Sequence, residues 1–197
     1  MIRAVIFDLN GVIVRSPLLS DRFRDSFGVG DSEFLPALKQ IMGKLRQPNA
    51  GDAFAHWKPF LAKWDVNLTK EQFYDFWFSA EKEDSGMIAI AEQLKRKGIR
   101  IFVLSNNFVE RAAYYKKHFR FGKIFENIYY SFETGFVKPD KRAFEKLLKD
   151  NTLKAGECLY IDNQENNIET AKSIGIKTIY FAGDKELKKE LEKISMV

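Results

Sequence analysis

At 197 residues, 45% hydrophobic and 30% charged, the chain carries enough apolar area for a packed core and lacks the composition of a disordered one. Its 32 Lys and Arg against 27 Asp and Glu give a formal charge of +5, scattered along the chain where a nucleic-acid binder would concentrate it on one face. No apolar run approaches the ~20 residues of a membrane span, and MIRAVIFDLNGVIV lacks the basic start and small-residue cleavage site of a signal peptide, so a cytoplasmic address is expected.

The first apolar run, IRAVIF at 2–7, predicts a strand that ends at Asp8. From about 17 to 85 follow the amphipathic stretches DRFRDSF, FLPALKQIMGKL, DAFAHWKPFLAKW and KEQFYDFWFSA with no convincing strand, which predicts an all-helical insertion. All three tryptophans, Trp57, Trp64 and Trp77, fall in it; aromatics at helical spacing close a small bundle and leave one or two side chains to face a substrate.

After the insertion, GMIAIAEQLKRKG predicts a helix ending at Gly98, IRIFVL at 99–104 a second strand, and FVERAAYYKKHF a helix. NIYYS at 127–131 predicts a third strand, DKRAFEKLLKD a helix opening with Asp140 after Pro139, ECLYI at 157–161 a fourth strand and KTIYF at 177–181 a fifth. The final KELKKELEK at 185–193 alternates charge at helical spacing, as on a solvated helix face. Five buried apolar strands separated by crossover-length helices predict an α/β chain with a doubly wound parallel sheet, a core of 1–16 and 86–197, and an inserted helical cap of 17–85.

Ligands of open α/β sheets bind at the carboxyl ends of the strands, and four polar groups are expected there. Asp8 is followed by Leu9–Asn10–Gly11; Ser105–Asn106–Asn107 offers a hydroxyl and amides suited to an oxyanion; Lys138, in VKPD, brings a cation; Asp162–Asn163 ends the fourth strand, with Asn166 and Asn167 beyond. Singly each is an ordinary cap or turn, but a strand order of 3-2-1-4-5 makes them converge. Cys158, the only cysteine, lies in an apolar run and is expected to be buried and inert. His56 and His118 lack a ligand-spaced partner, so His56 is assigned to the surface or to packing and His118 to the helix dipole. Arg22, Lys44 and Lys58 in the insertion stay open between surface and substrate roles.

The segments VIFDLNGVIV, VLSNN, VKPD and YIDNQENNIETAKSIGI resemble, in order and over nearly the whole chain, the four motifs of the haloacid dehalogenase superfamily. The insertion resembles that superfamily's first-position cap, and IDNQENNIETA beside KPDKRAF is similar to bacterial sugar-phosphate phosphatases, including α-D-glucose-1-phosphate phosphatases. The resemblance implies a Rossmann-like hydrolase of a small phosphorylated metabolite, while the scattered charge and the lack of a spanning run lead to no nucleic-acid or membrane partner being expected. Asp8 would be the nucleophile, forming an aspartyl-phosphate; Ser105 and the Asn106 amide would hold the phosphoryl group; Lys138 would offset charge. Mg2+ would bind Asp8, the Asn10 carbonyl and the Asp162–Asn163 loop.

Two positions depart from the pattern. Asn10 stands where these phosphatases carry a second aspartate as general acid and base, a contribution typically worth about 10²–10⁴-fold. Asn163 stands where a second motif-four aspartate would meet Mg2+, which prefers anionic oxygen. Three readings follow, in order of preference: an attenuated Mg2+ phosphatase, a metal-independent hydrolase like the 2-haloacid dehalogenases, and a catalytically silent member that binds a phosphate or a protein. The lost carboxylates favour the second, whereas Asn10, where those dehalogenases carry an aromatic residue, disfavours it.

Overall fold

The computed structural model describes residues 1–196. Five strands, β1 (Ala4–Phe7), β2 (Arg100–Ser105), β3 (Asn127–Tyr130), β4 (Cys158–Asp162) and β5 (Lys177–Tyr180), pair in parallel in the order β3-β2-β1-β4-β5, the order expected from the sequence. Register does much of the positioning: Phe7 pairs with Val103 and with Ile161, so Asp8 and Asp162 emerge level with each other and Ser105 one residue further along.

Alternation along each strand splits the apolar side chains between two faces. Val5, Phe7, Val103 and Ile161 pack under α5 (Ser85–Arg96), α6 (Val109–His118) and α9 (Asp184–Lys193). Ala4, Ile6, Phe102 and Tyr160 pack against α7 (Lys141–Asp150) and α8 (Glu165–Ser173). Covered on both sides, β1, β2 and β4 have no need of a polar face, which is why their sequences run apolar without a break. The expectation of five buried strands needs correction at β5, where Lys177 and Tyr180 are exposed because an edge strand has a neighbour on one side only.

Between β1 and β2 the chain folds as α1 (Leu19–Phe27), α2 (Asp31–Leu45), α3 (Ala53–Lys63) and α4 (Lys70–Phe78), the last opened by a Thr69–Gln72 capping box, before α5. These helices share an aromatic cluster of their own, with Trp57 fully buried, stacked 5.5 Å from Phe34 and edge-on to Trp77 at 5.8 Å. Trp77 reaches the core at Phe108, 5.3 Å away. One feature was not expected between 17 and 85: Lys82–Glu83 pairs antiparallel with Val14–Arg15, a two-residue ladder too short for any hydrophobic period to reveal. Among the described residues no helix is long and apolar enough to cross a membrane.

Cys158 is buried, and burial pushes its thiol up to about 11, as an inert core residue requires. His56 Nε2 lies 2.7 Å from the Ala50 carbonyl oxygen, and His118 stacks on Tyr114 at 4.3 Å in the last turn of α6, so both have structural neighbours.

Candidate functional site

β1 ends with the Asp8 N–H donating to the Ile161 carbonyl at 2.8 Å, and the chain then turns sharply. The Leu9 carbonyl accepts from the Ile13 and Val14 N–H groups at 2.9 and 2.8 Å. Gly11 adopts φ +94°, and a Cβ there would lie 2.4 Å from Asn163 Nδ2. Glycine is therefore required twice over, for the left-handed backbone and for the close approach of the Asn163 side chain.

Lys138 is the centre of the polar network. Its Nζ donates to Asp8 Oδ1 at 2.7 Å, to the Tyr160 hydroxyl at 2.8 Å and to Asp162 Oδ2 at 3.0 Å. Its backbone is clamped by Asn106, whose Oδ1 accepts from Lys138 N and whose Nδ2 donates to Lys138 O, both at 2.8 Å. Asp162 is fully buried and both its oxygens are engaged: Oδ1 by the Gln164 N–H at 2.8 Å, Oδ2 by Lys138, by Asn167 Nδ2 at 2.9 Å and by a short bond from Tyr160.

Two carboxylates thus share one ammonium in a buried site. Burial pushes the Asp8 carboxyl above the ordinary carboxylate range; Lys138 opposes that shift and the like charge of Asp162 adds to it. Burial also keeps the Tyr160 phenol neutral, so it stays a hydrogen-bond donor toward Asp162.

Asn10 points to a second network. Its Nδ2 donates to the Tyr115 hydroxyl at 2.6 Å, and its Oδ1 accepts a long bond from Asn107 Nδ2 at 3.5 Å. Tyr115 lies under the Arg111 guanidinium, 5.7 Å from its ring centre, and Arg111 pairs with the buried Glu81 between α4 and α5. At the carboxyl edge of the sheet two buried polar atoms, Ser105 Oγ at the end of β2 and Asn163 Oδ1, have no partner among the described residues. Buried polar groups are nearly always satisfied, so atoms of this kind mark where a ligand, ion or water belongs.

The structure therefore brings Asp8, Lys138 and Asp162 into direct contact, with Asn106 as the clamp. Ser105 and Asn163 are left with unfilled bonding capacity, while Asn10 is held by Tyr115 and Asn107. Arg22 is occupied, donating to the Trp77 carbonyl at 3.2 Å, and Lys44 and Lys58 are exposed. Sequence reasoning missed Tyr160, Tyr115 and Arg46. Tyr160 was within reach of it, since it precedes Asp162 by two residues on a strand and must share its face.

Among the described residues no group of three or more His, Cys, Asp and Glu side chains is arranged around a metal position. The donors that remain are oxygens, namely the Asp8 carboxylate, main-chain carbonyls of the Asp8–Gly11 turn and the unpartnered Asn163 Oδ1, and oxygen-only donors fit Mg2+. The set is thin in negative charge, because Asp162 is committed to Lys138 and its neighbours.

The chain is 28% identical to mouse acyl-CoA dehydrogenase family member 10 over 98% of its length, but spans only 19% of that protein. It is 23% identical to mouse bifunctional epoxide hydrolase 2, over 98% of this chain and 39% of that one. Glyceraldehyde 3-phosphate phosphatase of Pyrococcus abyssi is 24% identical over 92% of this chain and 82% of its own length. The fold matches that of a HAD family enzyme of Bacteroides thetaiotaomicron in complex with magnesium and inorganic phosphate, with a TM-score of 0.73, 21% identity, and 91% and 94% of the two chains covered. It also matches an L-2-haloacid dehalogenase, with a TM-score of 0.72, 15% identity, and 92% and 86% covered. The sequence profile of the haloacid dehalogenase-like hydrolases matches residues 2–175, and with that match the chain belongs to this hydrolase family.

Proposed function

We propose that this hydrolase cleaves phosphate monoesters of small metabolites through Asp8, with Mg2+ as cofactor, at a rate attenuated by Asn10 and Asn163. The observation that carries the reading is the Lys138 ammonium 2.7 Å from Asp8 Oδ1 at the carboxyl edge of the sheet, one residue short of the level at which Ser105 Oγ lies buried and unpartnered. A nucleophile, a cation and an unfilled hydroxyl donor are the parts that phosphoryl transfer to a carboxylate needs. The sugar-phosphate phosphatase among the relatives supports the same substrate class.

In this reading the Asp8 carboxylate attacks phosphorus and the ester P–O bond breaks, its electron pair leaving with the alcohol oxygen. Water then attacks the phosphorus of the aspartyl-phosphate and returns Asp8 as a carboxylate. Lys138 offsets the charge between nucleophile and phosphoryl group, and Ser105 Oγ and the Asn106 N–H donate to phosphoryl oxygens. Asp162 keeps Lys138 in place. Mg2+, held by Asp8, the Asn10 carbonyl and Asn163 Oδ1, supplies neutralisation of the charge on the phosphoryl oxygens. The Asn10 amide donates a hydrogen bond but no proton, so the leaving oxygen takes its proton from water. Residues 17–85 act as the cap over a core of 1–16 and 86–197.

The thin charge of the metal donors favours one second reading, a metal-independent attack of Asp8 on the carbon of a 2-haloacid. A panel of phosphorylated metabolites and 2-haloacids, with and without Mg2+ and with Asp8→Ala as control, separates the two. Mg2+-dependent phosphate release that Asp8→Ala abolishes is the expected result. Halide release without metal transfers the assignment to the second reading, and inactivity on the whole panel overturns both.

A further inference from the structure

A cavity of about 730 Å³ opens between α1, α2 and α6, within the size range of small-molecule sites. Leu19, Leu38, Met42 and Trp77 form most of its walls, with the cations Arg22 and Lys39 among them. Leu18 and Leu35 carry the apolar surface to its mouth, where they are 68% and 46% exposed. At its other end stand Arg46 and Arg111.

Tyr115 links that cationic end to the Asp8 loop. Arg111 covers the Tyr115 ring at 5.7 Å, and the Tyr115 hydroxyl is 2.6 Å from Asn10 Nδ2. Glu81 neutralises Arg111, but the buried Nε of Arg46 has no partner. Burial and the like charge of Arg111 disfavour the Arg46 cation, and the opposite charge of the Asp8 carboxylate offsets part of that.

Among the described residues the lining contains no Asp, Glu, Asn or Gln; its polar side chains are the cations Arg22, Lys39, Arg46 and Arg111 and the Ser16 hydroxyl. Sugar hydroxyls are donors as well as acceptors, and a wall of guanidiniums and leucines would leave their hydrogens unpaired at a large cost in binding. An anionic head with an aliphatic tail meets both ends of the cavity.

Building on the phosphatase reading of Asp8, we infer that this cavity holds the alcohol portion of a phosphate monoester bearing an aliphatic chain, and that Arg46 selects for its anionic head. The leaving alcohol is thus apolar, unlike that of a sugar phosphate. Arg46 bonds a head-group oxygen through the nitrogen that lacks a partner, and the chain runs along Leu38 and Met42 toward Leu35.

The test is a series of ethyl, butyl, hexyl and octyl phosphates with Mg2+, set against glucose 1-phosphate and glyceraldehyde 3-phosphate. Matched alkylphosphonates are titrated by calorimetry as a measure of binding independent of turnover. Burying each methylene is worth about fourfold, so kcat/KM and phosphonate affinity should both rise more than tenfold from ethyl to hexyl. Leu35→Gln and Leu38→Gln should flatten the dependence on chain length. Arg46→Gln should weaken every phosphonate by a similar factor whatever its chain. Sugar esters turned over as well as hexyl phosphate, or a flat alkyl series, would overturn the inference and leave the phosphatase reading standing. If no ester is hydrolysed, the phosphatase reading fails and the calorimetry decides. Chain-dependent binding that Leu35→Gln erases then sustains an amphiphile site, and chain-independent binding ends it.

Discussion

The side chain of Asn106 holds Lys138 by the backbone, accepting from its N–H and donating to its carbonyl at 2.8 Å each, so that the ammonium is delivered to Asp8 by a clamp from the end of the neighbouring strand. Asn106→Ala removes both bonds while leaving the Asn106 main-chain N–H in place. Turnover of the phosphate ester should fall at least tenfold, with a stability loss of about 1–3 kcal/mol for the lost pair of hydrogen bonds. Steady-state kinetics beside urea unfolding measure both; wild-type kinetics would show that the clamp does not set the position of Lys138.

Removing the ammonium itself has a different signature. Lys138→Met leaves Asp8 and Asp162 buried with no counter-charge, and breaking a buried pair in this way costs about 3–5 kcal/mol. Adding Asp162→Asn to that variant should restore part of the loss, because one of the two unpaired carboxylates is gone. Urea unfolding of the two single variants and the double variant at neutral pH gives the coupling directly, and strict additivity would contradict a shared ammonium.

The raised Asp8 pKa fixes a pH dependence of stability in metal-free protein. A carboxyl whose folded pKa lies above its unfolded value of 3.8 gives stability that is present below 3.8 and lost as the pH rises through the folded value. Asp8→Asn removes that loss. In EDTA its melting temperature should equal or exceed that of the wild type near pH 8, and the difference should shrink toward pH 4. A wild type that gains on the variant as the pH rises would mean that Lys138 outweighs burial.

What the chain revealed before folding follows from where the physics is local. Buried parallel strands need unbroken apolar runs, so IRAVIF, IRIFVL and ECLYI were legible, and with them the strand ends carrying Asp8, Ser105 and Asp162. Asn10 was legible as a departure, but its partner Tyr115 was not: the two are 105 residues apart, and only the packing of α6 against the β1 turn joins them. Arg46 caps a helix that carries two other cations, Lys39 and Lys44, and no period singles out the arginine whose Nε is buried. The commitment of Asp162 to Tyr160, Asn167 and Lys138 is likewise a property of three-dimensional contact, which is why it was expected among the metal donors.

The two asparagines give a gain-of-function prediction. Asn163→Asp converts an unpartnered neutral oxygen into an anionic Mg2+ ligand, and Asn10→Asp supplies a titratable group to protonate the leaving oxygen. The double variant should bind Mg2+ more tightly and hydrolyse phosphate esters more than tenfold faster at saturating metal. Added carboxylates repel Asp8 and Asp162 in the metal-free protein, so melting temperatures should fall in EDTA and recover with Mg2+. A folded double variant with neither gain would show that the asparagines do not limit the site.

Attack of Asp8 on phosphorus can be read by intact-mass spectrometry of the enzyme quenched in acid during turnover of a phosphate ester with Mg2+. The expected result is a fraction of molecules heavier by one phosphoryl group, with the added mass on the peptide containing Asp8 and absent from Asp8→Asn. Phosphate released under the same conditions by Asp8→Asn at the wild-type rate, or a phosphoryl group found on another residue, would contradict it.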